Sequence, residues 1–301
     1  MGLSFLPEDV RSAVSNLNYN YISEIRLRRG QPVSVEYKGE FKYLTAIGVS
    51  DESKNAIVFG EIAPIINRAT GGCIYDYAEQ MKSGFITVKH GIRIGIAGEY
   101  VTQGSEVKTI RNITSLNIRI PHNVQGCSRY LIENLFFDDL HSTMLYSKPG
   151  LGKTTMLRDL TVNLSANRNL NILVFDERNE IAAIDREGNG FDLGKRVDVI
   201  RCHNKKSAIS SAIRAMKPDV IITDELYGEE DIYAVQFASD CGICVIASSH
   251  FCDKTLLQKM PFEFFVKLTS IGGKLIIYDK NFNTVGCRCA DDFAGNISFG
   301  K

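Results

Sequence analysis

Residues 147–155 read Ser-Lys-Pro-Gly-Leu-Gly-Lys-Thr-Thr. Glycines followed by a lysine and a hydroxyl are the residue types that hold phosphate. Backbone N–H groups of a glycine-rich turn close around phosphate oxygens, the lysine reaches the β- and γ-phosphates, and the hydroxyl ligates Mg²⁺. The usual spacing is G-x-x-x-x-G-K-[ST]. Gly152, Lys153 and Thr154 fill its last three places, and Ser147 stands where the first glycine would be. The expected nucleotide contacts are therefore Ser147, Lys148, Pro149, Gly150, Leu151, Gly152, Lys153, Thr154 and Thr155. A small residue serves at position 147 provided φ there is negative, because only a positive φ calls for glycine. Negative φ is the expectation.

A second stretch, DVIITDEL (219–226), carries Asp224 and Glu225 out of an apolar run, close to what a Walker B strand requires. Asp224 would hold Mg²⁺ together with Thr154. Glu225 would orient or deprotonate the attacking water. Two further runs end in polar residues: VFDERNE with Asp176, Glu177 and Glu180, and ASSH with Ser248, Ser249 and His250. In an open parallel sheet all such ends lie along the carboxyl edge, where ligands bind. Glu177 is the second candidate for the base, and His250 is placed to sense a γ-phosphate. The plainer alternatives are a chance glycine turn, acids that merely cap strands, and a structural histidine.

The elements that must position these residues follow from the pattern. TMLYS (143–147) is an apolar strand into the glycine loop. KTTMLRDLTVNL continues as a helix with Leu157, Leu160 and Leu164 on one face. NILVF, VDVI, DVIIT and ICVIASS are short apolar strands. They alternate with helical patterns in KKSAISSAIRAMK (Ile209, Ile213, Met216) and around DIYAVQFAS. Apolar strands alternating with amphipathic helices predict a mostly parallel sheet covered on both faces. Residues 1–125 differ. SEIRLRRGQPVSVEYKGE alternates like a strand broken at Gly30 and Pro32, and KNAIVFGEIAPIINRATGG holds a helix stopped by Gly71 and Gly72. SGFITVKHGIRIGIAGEYV is a hairpin turning near His90-Gly91, and NITSLNIRIP is a strand ended by Pro121. The fold class is thus α/β: a P-loop domain over 126–301 behind a smaller α+β domain over 1–125.

The bulk numbers exclude several classes. Lys plus Arg and Asp plus Glu are 35 each, so net charge gives no argument for a nucleic-acid or anionic-membrane partner. No apolar stretch approaches the ~18–20 residues of a membrane span. The opening MGLSFLPEDVRSAV lacks a basic and apolar leader, and Leu6 breaks the myristoylation pattern. A cytoplasmic protein is expected. Its eight cysteines are then free thiols. Cys241 with Cys244, and Cys287 with Cys289, have the spacing of zinc ligands, but Cys244 falls in a buried-strand pattern, where cysteine acts as a small hydrophobe.

Six segments resemble the stage III sporulation protein AA family of endospore-forming bacteria: EIRLR (24–28), SGFITVKHGIRIGIAGEYV (83–101), ITSLNIRI (113–120), PGLGKTTMLRDL (149–160), FDERNEIA (175–182) and RAMKPDVIITDEL (214–226). VIASSHF (245–251) stands where the family has Thr-Ala-His. Ser147 replaces the family's glycine and Lys148 its proline. The resemblance implies a RecA-like ATPase core similar to the motors of type II and type IV secretion and of pili, using ATP and Mg²⁺. It also implies a homo-oligomeric, commonly hexameric, ring. FDERNE corresponds to the acidic Asp box of such motors and His250 to their His box. The implied setting is the mother-cell side of a channel between mother cell and forespore, peripheral to the membrane, with a membrane-anchored protein of the same operon as partner. Ring motors bring arginines against the γ-phosphate across an interface, and Arg93 and Arg119 are the candidates on matched strands. Their alternative is pairing with acids on a strand face.

Two other readings remain. One is a nucleic-acid-linked ATPase of a related group, which carries an Arg-x-x-x-His domain; the end of this chain, NFNTVGCRCADDFAGNISFGK, has no such motif and no basic tail. The other is a nucleotide-binding scaffold with weak hydrolysis, suggested by Ser147. An ABC transporter ATPase is disfavoured because no LSGGQ-like signature occurs.

Overall fold

The computed structural model describes residues 2–104, 106–184, 188, 190–201, 205–250, 253–270, 274–288 and 298–299. The chain forms two compact units. The first is Met1–His122 with Ala183–Gly190, and the second is Asn123–Ala182 with Phe191–Lys301. The short return at 183–190 has no signal in the composition along the sequence. Phe191 N–H donates to Ala182 C=O at 2.7 Å at its root.

In the first unit, helix α1 (Glu8–Ser15) and helix α2 (Ala63–Ala69) accompany a seven-stranded sheet. Its strands are β1 (Ile22–Arg28), β2 (Ser34–Tyr37), β3 (Glu40–Thr45), β4 (Gly48–Ser50), β5 (Phe85–Thr87), β6 (Arg93–Gln103) and β7 (Glu106–Arg119), in the order β4-β3-β2-β1-β7-β6-β5. All its pairings are antiparallel. One face is apolar, with Ile25, Leu27, Val35, Ile94, Ile96, Leu116 and Ile118 in the core. The expected hairpin through His90-Gly91 is present, with both residues at positive φ and Thr87 paired to Arg93. The sequence pattern misses the larger hairpin. β6 runs on to Gln103, turns through Gly104 at φ 63°, and returns as β7. Its outer half is exposed on most positions, so alternation alone does not mark it as one element.

The second unit carries an eight-stranded sheet. Its strands are β8 (Thr143–Tyr146), β9 (Ile172–Phe175), β10 (Val197–Ile200), β11 (Val220–Thr223), β12 (Cys244–Ser249), β13 (Phe264–Leu268), β14 (Leu275–Asp279) and β15 (Thr284–Arg288). The order is β10-β9-β11-β12-β8-β13-β14-β15. The first six in that order are parallel and the last two antiparallel. Strands β8, β9, β11 and β12 are buried at every residue, as expected when helices cover both faces. The longer helices are α3 (Arg129–Leu135), α4 (Lys153–Asn167), α5 (Lys205–Met216) and α6 (Glu229–Asp240). Leu157, Leu160 and Leu164 of α4 are buried as a stripe. On α5 the expectation fails at one end: Ile209 is buried and Ile213 half-buried, but Met216 is 43% exposed. The helix stops there and Lys217 turns left-handed, φ 46°, so Met216 has no following turn to pack beneath it. Among the described residues no helix is long and apolar enough to cross a membrane.

Candidate active site

The site is built on the carboxyl ends of β8, β9, β11 and β12. β8 delivers Ser147, which is buried and extends the ladder by donating its N–H to Ser249 C=O at 3.4 Å. Ser147 is not among the residues of positive φ. Positive φ is confined in this loop to Gly150 (79°) and Gly152 (88°), the two positions that hold glycine. A Cβ added at either would meet nothing within 4 Å, so both glycines are present for backbone conformation and face open space. Lys148, Pro149 and Gly150 are exposed, and Leu151 is half-buried. Gly152 forms the N-cap of α4, so that helix begins at Lys153 and points its free N–H groups toward the loop. Thr155 is half-buried in the first turn.

Lys153 is buried, and its ammonium is closely held. It donates to Ser147 C=O at 3.1 Å, to Lys148 C=O at 3.3 Å and to His250 Nδ1 at 2.9 Å. A lysine ammonium only donates, so His250 accepts on Nδ1 and carries its hydrogen on Nε2. Nε2 then donates to Glu225 Oε1 at 3.0 Å. His250 thus bridges the lysine of the glycine loop to the acid at the end of β11. Thr154 Oγ1 donates to Asp224 Oδ2 at 2.7 Å. The two groups expected to share a metal therefore already touch. Their hard oxygens are the donor set that suits Mg²⁺, and the fit extends no further than those two side chains.

The serines of β12 fix the end of β11. Ser248 Oγ donates to Asp224 Oδ1 and accepts the Glu225 N–H at 3.1 Å. Leu226 N–H donates to Ser248 C=O at 2.8 Å, and Ser249 Oγ donates to Leu226 C=O at 3.2 Å. These bonds hold Glu225 in a left-handed conformation, φ 46°, which costs an L-residue of order 1–3 kcal/mol and persists only where neighbours over-determine it.

Asp176, at the end of β9, turns inward. Its Oδ1 accepts the Glu180 N–H and its Oδ2 the Ala182 N–H, each at 2.8 Å. Burial pushes its carboxyl above the usual range, the N–H groups of 180–182 pull it back, and Asp224 adds a further push upward. Arg158, buried on α4, donates Nε to Ile181 C=O at 2.8 Å and Nη2 to Glu180 C=O at 2.5 Å, and its guanidinium lies 4.0 Å from the Phe191 ring centre. Burial lowers its pKa to about 10, opposed by Asp176 first among the nearby charges. The next residue, Asp159, accepts from Gly126 N–H (2.9 Å), Ser128 N–H and Ser128 Oγ (both 2.7 Å).

Glu177 is exposed, and the residue of this loop that reaches Glu225 is Arg178: Nη1 to Oε1 at 2.9 Å and Nη2 to Oε2 at 2.6 Å. Arg178 was not singled out from the sequence, although it sits inside the DERNE run, where a cation between acids is a visible signal. Arg158, Asp159 and the positioning role of Ser248 left no comparable trace. Arg93 and Arg119 belong to the other unit. They pair in register on β6 and β7, and Glu24 on β1 stands opposite Arg119. Arg93 lies over the Phe85 ring, 3.9 Å from its centre, and Arg119 is exposed. Glu24 takes Arg26 and, at 3.0 Å, Asn117. Of the cysteines, Cys244 is buried on β12 with its thiol raised by burial to about 12, and burial also raises Cys127. Cys241 and Cys287 are exposed, and Cys289 lies outside the described residues.

The family model for sporulation stage III, protein AA, matches residues 5–281. The chain belongs to that family. The stage III sporulation protein AA of Bacillus subtilis (strain 168) is 31% identical to it, over 93% of this chain and 95% of the relative. The six segments that carried the resemblance are therefore parts of a match along nearly the whole length. Among solved structures, the ATPase DotB of Legionella pneumophila is similar with a TM-score of 0.57 at 16% identity, covering 91% of this chain and 76% of that one. The pilus retraction motor PilT, solved with bound ADP, gives 0.54 at 15%, covering 89% and 80%. At such identities the likeness shows the fold, which for this family member is the RecA-like P-loop ATPase fold with a separate antiparallel N-terminal sheet.

Proposed function

We propose that this protein binds ATP with Mg²⁺ and hydrolyses it to drive or assemble a secretion-like channel complex between mother cell and forespore. The observation that carries the reading is the convergence of four groups: Lys153 on the loop, Thr154 touching Asp224, and Glu225 joined to Lys153 through His250. Thr154 and Asp224 would hold Mg²⁺, which supplies charge neutralisation for the β- and γ-phosphates. The N–H groups of 150–154 and the start of α4 bind and orient the phosphates, and Lys153 exchanges its carbonyl partners for phosphate oxygens. Glu225 takes the proton of the attacking water. His250 ties the position of that base to the lysine that reads the phosphates.

The working form in this reading is a homo-oligomeric ring, a hexamer by analogy with secretion motors, in which Arg119 or Arg93 of one subunit completes a neighbour's site. Arg119 is exposed on its strand, and Arg93 pairs in register beside it. The ring would sit on the cytoplasmic, mother-cell face of the membrane, against a membrane-anchored protein of the same operon. The test is phosphate release from Mg-ATP. Wild type should release it and Lys153→Ala should neither bind nucleotide nor turn over. Mixing Arg119→Ala with Lys153→Ala subunits should restore part of the activity. A monomer at full turnover would rule out the ring.

A further inference from the structure

We propose that Arg178 is a latch on Glu225: it holds the base of the proposed hydrolysis in a paired, idle state and keeps basal turnover low. The inference rests on the reading of Glu225 as base. The guanidinium engages both carboxylate oxygens, at 2.9 and 2.6 Å, in a two-pronged pairing. Oε1 also accepts His250 Nε2 at 3.0 Å. With two donors on Oε1 and one on Oε2, a latched Glu225 has few lone pairs left to take a proton from water.

The mount of this latch is rigid and its tip is loose. The loop under Arg178 is closed by Asp176 on its N–H groups and by Arg158 on its carbonyls. Neither closure uses the Arg178 side chain, so replacing it leaves the loop standing. The Arg178 side chain is 54% exposed and that of Glu225 19%. The Glu225 backbone is fixed separately, by Ser248 and Leu226, so only side chains need move for release. A pair this exposed is weak. It biases the base toward the idle state about fivefold, and its loss returns that factor to the rate. The release signal is any acid that captures the guanidinium in place of Glu225.

The test is steady-state phosphate release against ATP concentration, with nucleotide binding measured alongside, for wild type, Arg178→Gln, Arg178→Lys, Lys153→Ala, Glu225→Gln and the Arg178→Gln/Glu225→Gln double variant. Arg178→Gln should raise kcat about fivefold, the scale of a half-exposed ion pair, with KM unchanged. Arg178→Lys, which keeps the charge but loses the fork, should fall between it and wild type. The double variant should match Glu225→Gln, because the gain runs through that carboxylate. A kcat for Arg178→Gln at or below wild type, with Lys153-dependent nucleotide binding intact, overturns the latch alone. Absence of any Lys153-dependent nucleotide binding overturns the underlying reading, and the latch with it.

Discussion

Asp176 and Asp224 stand one residue past β9 and β11, neighbouring parallel strands whose last residues, Phe175 and Thr223, are paired in register. Residue type, sheet and edge are the same, yet the two carboxylates do different things. Asp224 is half-buried and takes hydroxyls from two other elements, those of Thr154 and Ser248, besides the Glu225 N–H at 2.9 Å. Asp176 is fully buried and takes backbone N–H groups of its own loop. The difference lies in what surrounds each strand end. β11 lies next to β12, whose serines lock the turn at Glu225, and β12 lies next to β8, which brings the glycine loop. β9 is one strand further out, and the chain leaving it curls back over its own aspartate. An acid at a strand end becomes a candidate for chemistry where hydroxyls from other elements meet it. Where the N–H groups of its own loop take both its oxygens, it is a fold determinant.

The base role gives the sharpest break. Glu225→Gln should bind ATP but hydrolyse it at least about 10²-fold more slowly, the scale of losing a general base. Glu177→Gln, at the exposed start of the β9 loop, should change turnover by no more than about twofold, as surface substitutions do. The reverse pattern in phosphate release would move the chemistry to β9. The two aspartates should separate next. Asp224→Asn should raise the Mg²⁺ needed for half-maximal turnover about tenfold or more. Asp176→Asn should leave that Mg²⁺ requirement alone and cost about 1–3 kcal/mol of stability, because an amide puts a donor where a loop N–H needs an acceptor.

Acidification sharpens the same contrast. With its folded pKa raised by burial, Asp176 binds its proton more tightly folded than unfolded. Its stabilising contribution is fully present below the ordinary aspartate value of about 3.9 and is lost as pH rises through the raised value. On lowering the pH through that window, wild type should gain stability relative to Asp176→Asn in denaturant titrations. A constant gap would mean that Asp176 is not buried as described. The smallest effect belongs to the loop. Ser147 has no positive φ to relieve, so Ser147→Gly should change ATP affinity by less than about tenfold in a direct binding measurement. A hundredfold gain would show a strained loop and favour a scaffold with weak hydrolysis.

The glycine loop between strand and helix, the order of apolar strands and helices in the second unit, and the family are legible in the residues alone. Each of these is local: glycines at fixed offsets, runs of four to six buried residues, and a lysine and a threonine that open a helix. The sequence also named the strand-end polar residues as a group, because a parallel sheet sends them all to one edge. Which partner each one meets follows from the assembled sheet alone. That Arg178 rather than Glu177 meets Glu225, that Ser248 holds Asp224 and Glu225 together, and that His250 joins Lys153 to Glu225 all depend on the lateral order β9-β11-β12-β8. So does the turning of Arg158 from α4 onto the loop carbonyls. Strand order is set by pairings between residues far apart in the chain, as with Val220–Cys244 and Thr143–Ile246. No local pattern of residue types encodes a neighbour at that distance. Side-chain partnership at a sheet edge is therefore decided only when the strands have assembled.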